Sequence, residues 1–108
     1  MHWKVTFDTP QHRPGTLDIM EYIFNVSRDS ERETSVSVGI TAQERDWPPE
    51  NRLSRVDIIE AAGDWLRSCL EKGKRDPFNR PETDKVLVMP QGTLDHWRRD
   101  HSFRDWPC

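Results

Sequence analysis

The chain is poor in the residue types that announce chemistry. Two cysteines, Cys69 and Cys108, and one tyrosine, Tyr22, occur among 108 residues. Two cysteines are too few for a disulfide framework. Cys69 falls on the apolar side of a periodic segment and reads as a buried thiol. No apolar run approaches the roughly 20 residues that span a bilayer. No charged-then-apolar leader is visible near the N-terminus. The expectation is a cytoplasmic protein without membrane contact. Asn25-Val26-Ser27 fits a glycosylation sequon but has no secretory signal beside it.

An excess of one charge is also missing. The formal net charge is -3. Residues 1–53 carry 6 Lys/Arg against 9 Asp/Glu, and residues 54–108 carry 10 of each. Neither half has the basic surplus that generic phosphate-backbone binding requires. Catalytic motifs are equally scarce. There is no Gly-rich phosphate loop, no nucleophile elbow and no His-Glu-x-x-His. His2, His12, His96 and His101 are scattered, and no zinc-finger spacing occurs. Neither a metal nor another cofactor is expected. A small enzyme of undefined reaction is the third reading, because catalytic pairs can come from distant segments.

Hydrophobic residues are few, at 33%. That is low for a globular chain. The modest net charge and five tryptophans pull the sequence back toward folding, since each indole can bury a large area. The length suits one domain, residues 1–108.

The clearest element is a helix over "SRVDIIEAAGDWLRSCLEK", residues 54–72. Ser54 stands at the N-cap with Asp57 three residues on, and Leu53 and Ile58 have hydrophobic-staple spacing. Ile58, Ile59, Ala62, Trp65, Leu66, Cys69 and Leu70 recur on one face, and Asp57, Glu60, Asp64, Arg67 and Glu71 cover the other. Gly73 is a natural stop, with Pro77 beyond it. Gly63 costs roughly 1 kcal/mol against Ala inside a helix. Its presence suggests close approach by another element.

Strands precede this helix. "WKVTF" (3–7) alternates Trp3, Val5 and Phe7 with polar residues, and "ETSVSVGITA" (33–42) alternates Val36, Val38, Ile40 and Ala42. "TLDIMEYIFNV" (16–26) is β-rich but out of phase. Leu17 and Ile19 fall on one side, Met20, Tyr22, Phe24 and Val26 on the other. Either a bulge shifts its register or it is helical, and its composition favours strand. "RDSERE" (28–33) is then a charged connection. "KVLVM" (85–89) reads as a strand buried on both faces, ended by Pro90, and Thr93 as the cap of a short helix through about His101. The proline-bearing stretches 9–15, 46–52 and 76–84 read as loops.

The expected fold is therefore α+β. It is a small two-layer domain of order β-β-β-α-β with a short C-terminal helix, its mostly antiparallel sheet packed by one amphipathic helix. The order, with Glu60-Ala61 and Trp65-Leu66 on the helix, resembles small antitoxin-like domains of HicB type. The resemblance implies a regulator and carries no site residues.

The chain ends in near-repeating pentads, "DHWRRDHSFRDW" (95–106). A period of five does not match 3.6 residues per turn, so in a helix His96 and His101 would not converge on one ion. Asp95 is placed to pair with Arg98 or Arg99, and Asp100 with Arg104. Residues 93–108 thus read as a solvated, loosely packed tail with salt-linked turns. Lys72, Lys74 and Arg75, and the arginines near Trp97, Phe103 and Trp106, would suit nucleic acid, but acids interleave with them. The preferred function is a small non-catalytic protein-interaction domain, acting as an adaptor, inhibitor or regulator. Its expected contacts are Trp47, Trp97, Arg98, Arg99, Phe103, Arg104 and Trp106, residue types that anchor interfaces. Weak nucleic-acid binding is the alternative. Strand 34–42 lacks Pro and Lys, so at a sheet edge it would pair with a second copy in a homodimer, whereas "KVLVM" or the first strand taking that edge would leave a monomer.

Overall fold

A computed structural model describes residues 3–13, 19–28, 33–46, 53–74 and 86–108. Trp47 and its proline loop, Leu17 and all of 76–84, Pro77 included, lie outside them, as does most of 28–33. The elements run β1 (Trp3–Arg13), β2 (Ile19–Arg28), β3 (Thr34–Thr41), α1 (Ala42–Asp46), α2 (Arg55–Glu71), β4 (Val86–Val88) and α3 (Thr93–Arg99). One four-stranded sheet has the order β1-β2-β3-β4. β1 and β3 both pair antiparallel with β2, and β4 adds parallel to β3. The α+β class and mostly antiparallel sheet agree with the expectation.

Alternation decides which face is buried. Trp3, Tyr22, Phe24, Val26, Val36, Val38, Ile40 and Leu87 are buried from the four strands. From α2 come Ile58, Ala61, Ala62, Trp65, Leu66, Cys69 and Leu70. The helix face matches the predicted one, except that Ala61 joins it and Ile59 is only half-buried. At its start, the Ser54 hydroxyl accepts the Asp57 N–H at 3.2 Å. A Cβ at Gly63 would lie 3.3 Å from the Phe24 ring, so the glycine admits close approach of α2 to β2.

The 19–28 segment is a strand, and Tyr22, Phe24 and Val26 form its inward phase. The register shift falls on its partner instead, between Phe7 and Thr9 of β1. β1 also continues through residues 9–13, which the prolines had marked as loop. An outer strand accommodates Pro10 because one of its edges needs no ladder donor.

Three further expectations need correction. β4 is covered on one face only: Leu87 is buried while Val88 is 51% exposed. β3 ends at Thr41, and Ala42 starts α1. Finally, β3 is an interior strand. Its Ser37, Val38 and Gly39 pair with Val86, Leu87 and Val88, and Met89 N–H extends the ladder to the Gly39 carbonyl at 2.9 Å. The edge needed for a dimer paired through 34–42 is taken there by the chain's own β4.

The C-terminal segment is not a solvated tail. Leu94, Trp97 and Phe103 belong to the core, and Trp106 packs against it. Cys108 forms a disulfide with Cys69, closing a separation of 39 residues with the Cα atoms 5.7 Å apart. Cys69 is therefore buried as expected, but as half of a cystine and not as a thiol. None of the described helices is long and apolar enough to cross a membrane.

Candidate functional site

The C-terminal segment is docked on α2 by polar contacts that the pentad pattern does not announce. Lys72 donates from Nζ to the carbonyls of Phe103 and Trp106, at 2.6 and 2.8 Å. The Ser68 hydroxyl donates to the same Phe103 carbonyl at 3.2 Å. Trp65 donates its indole N–H to the Pro107 carbonyl at 3.0 Å. These donors sit along α2, so they hold an extended segment beside the helix.

The start of α3 is built from a distance. Gly92, at φ 91°, is its N-cap and makes no side-chain cap bond, so Thr93 is not the cap. The buried Glu44 carboxylate, on α1, accepts the N–H groups of Gly92 and Leu94 at 2.7 and 2.8 Å. It does what an N-cap side chain normally does, satisfying orphan donors with negative charge at the helix start. Thr93 instead donates to the Pro90 carbonyl at 2.6 Å and accepts the Trp106 indole N–H at 2.7 Å.

The expected contact residues therefore separate. Trp97 is 6% exposed and Phe103 4% exposed. Both are core anchors here and not partner-facing side chains. The Trp97 indole also donates to Asp64 on α2 at 3.0 Å. Trp106 is half-buried and stacks on His96 at 4.4 Å. Trp47 is outside the described residues.

Arg98, Arg99 and Arg104 remain exposed. Asp95 pairs with both Arg98 at 3.6 Å and Arg99 at 3.1 Å, so two guanidiniums share one carboxylate. The expected Asp100–Arg104 pair is absent among the described residues. Asp100 instead accepts the Ser102 N–H at 3.1 Å, closing a local turn.

The histidines are held by rings and backbone. His96 Nε2 lies 2.7 Å from the Ser102 carbonyl, which can only accept, so this nitrogen carries the proton. His101 stacks on Trp97 at 4.2 Å. Among the described residues, no three His, Cys, Asp or Glu side chains are grouped to hold a metal ion.

Between α2 and the docked segment lies an open cleft of about 450 Å³. Arg67 and Ser68 of α2 and Lys72 at its C-cap line one side, and His101, Ser102 and Arg104 of the segment the other. Asp64 and Glu71 add two carboxylates. Asp64 is already engaged by Trp97 and lies 4.0 Å from Arg67. Sequence reading had assigned Asp64, Arg67 and Glu71 to a solvent face. It missed their role as a cleft wall because the opposite wall comes from 30 or more residues along the chain.

The chain matches no family model, no curated protein and no solved structure in these comparisons. None of these comparisons supports the HicB-type resemblance drawn from element order and the helix stretch, and α1 interrupts the expected order.

Proposed function

We propose that the domain is a non-catalytic protein-interaction module whose contact surface is α3 and the following segment, beside the cleft on α2. One observation carries this reading. Three exposed arginines, Arg98, Arg99 and Arg104, stand on a segment whose backbone is fixed to the core by buried aromatics, hydrogen bonds and a disulfide. Arginine is enriched at interfaces, and a pre-ordered backbone lowers the entropy lost on binding.

Nucleic acid fits this surface less well. Trp97 and Phe103, two of the three rings that would stack on bases, are turned into the core. The third, Trp106, is half-buried and stacked on His96. Asp95 and Asp100 stand among the same arginines. An enzyme also gains little support. In the cleft the Ser68 hydroxyl is bound to a carbonyl, and the His101 ring is stacked on Trp97. The Cys69–Cys108 bond favours an oxidising compartment over the cytoplasm expected from the sequence.

The test is affinity capture from the native source with identification by mass spectrometry. The bait is the oxidised chain, beside a variant carrying Arg98→Glu, Arg99→Glu and Arg104→Glu. A specific partner lost by the variant, with an unchanged thermal melt, supports the reading. Equal capture by both baits refutes this surface. Tight sequence-selective retention of a DNA or RNA probe at physiological salt would replace the reading with the nucleic-acid one.

A further inference from the structure

Building on the protein-contact reading, we propose that the cleft between α2 and residues 101–104 is a subsite for side-chain carboxylates of an acidic segment on the partner. The argument is one of uncompensated charge. Three cations line the cleft: Arg67 from α2, Lys72 at its C-cap, and Arg104 from the docked segment. Two carboxylates, Asp64 and Glu71, oppose them. Asp64 is turned to the Trp97 indole and to Arg67. Lys72 bonds two backbone carbonyls, whose dipoles leave its full charge unneutralised. Arg104 has no ion pair among the described residues, and only its backbone N–H is engaged, by the Ser102 hydroxyl at 3.4 Å.

The cleft thus holds one positive charge in excess, with cations on both walls. A single carboxylate matches that excess, whereas a phosphate dianion overshoots it. The planar guanidinium fork suits carboxylate geometry. The volume of about 450 Å³ has room for an acidic side chain. The Cys69–Cys108 bond lies beyond Arg104 and keeps the second wall in place.

The experiment is a nuclear magnetic resonance titration of the oxidised, isotope-labelled full chain. The probe is a short Glu-rich peptide, blocked at both ends so that only side-chain carboxylates are present. Its Gln counterpart and inorganic phosphate are the comparators. Saturable shifts confined to residues 64–72 and 101–104, seen with the Glu peptide alone, are expected. Arg104→Gln should weaken binding about tenfold, the loss of one charge-assisted hydrogen bond. Arg55→Gln, at the far end of α2, should not. No saturable shift up to about 10 mM, the range of the weakest specific contacts, overturns the proposal. So does equal binding of the Gln peptide or of phosphate, or an Arg104→Gln variant that folds and binds unchanged.

The two readings fail separately. A partner captured through the arginines while the Glu peptide does not bind removes the carboxylate subsite and leaves the contact surface. Peptide binding without arginine-dependent capture does the reverse.

Discussion

Removing the Cys69–Cys108 bond should lower stability by about 4 kcal/mol. The bond closes a separation of 39 residues that contains β4 and α3. In the chain-entropy account, a loop of that length restricts the unfolded ensemble by about 13 cal/mol/K, hence about 4 kcal/mol at 25 °C. The native state should lose little shape, because Phe103 stays buried and Lys72 still holds two carbonyls of the segment. Unfolding a chain of this length carries an entropy of about 0.23 kcal/mol/K, so the melting temperature should fall by about 15–20 °C. The domain should still fold, since total stability is typically about 5–15 kcal/mol.

The better variant is Cys108→Ala. Cys108 is half-buried, while a polar replacement at the fully buried Cys69 would add a desolvation cost. The assay compares melts of the wild type, the wild type with a dithiol reductant, and Cys108→Ala with and without reductant. The last three should coincide well below the first. The denatured, unreduced wild type should show no free thiol. A shift under about 5 °C would contradict the loop-closure reasoning. Two titratable thiols in the unreduced wild type would refute the bond itself.

Three other outcomes follow from particular contacts. Glu44→Ala should cost about 2–4 kcal/mol, since two N–H groups at the start of α3 lose a charged acceptor in a buried site; chemical denaturation measures it, and a loss below about 0.5 kcal/mol would show that α3 does not depend on α1. Gly63→Ala should fail to yield the roughly 1 kcal/mol that helix propensity offers, because the new methyl meets the buried Phe24 ring at 3.3 Å; a clear rise in melting temperature would mean the ring yields freely. Tyr22, the sole tyrosine, should ionise above its ordinary value of 10.0, because burial disfavours the phenolate more than the charges of Arg45 and Arg55 favour it. The native state then holds its proton where the unfolded chain releases it, so stability should fall as pH rises past 10 toward the native midpoint. Tyrosinate absorbance reads this residue alone, and a native midpoint at or below the denatured one contradicts the assignment.

What could be read along the chain was whatever a few adjacent residues decide. Helix α2 was legible because Ser54, the apolar stripe from Ile58 to Leu70 and the closing Gly73 act within one or two turns of each other. The inward alternation of β1 and β3 was legible for the same reason, as was the need for a glycine at position 63. The tertiary structure alone decided which segments meet. It made β3 interior by bringing β4 beside Ser37–Gly39 from some fifty residues away. It put Glu44 at the start of α3, 48 residues from Gly92. It turned Trp97 and Phe103 inward, and it joined two cysteines that sequence could only count. The physical reason is common to all four. Propensity and periodicity are local, whereas a cap, a sheet neighbour or a cystine partner supplied from far along the chain depends on how the whole backbone closes on its core.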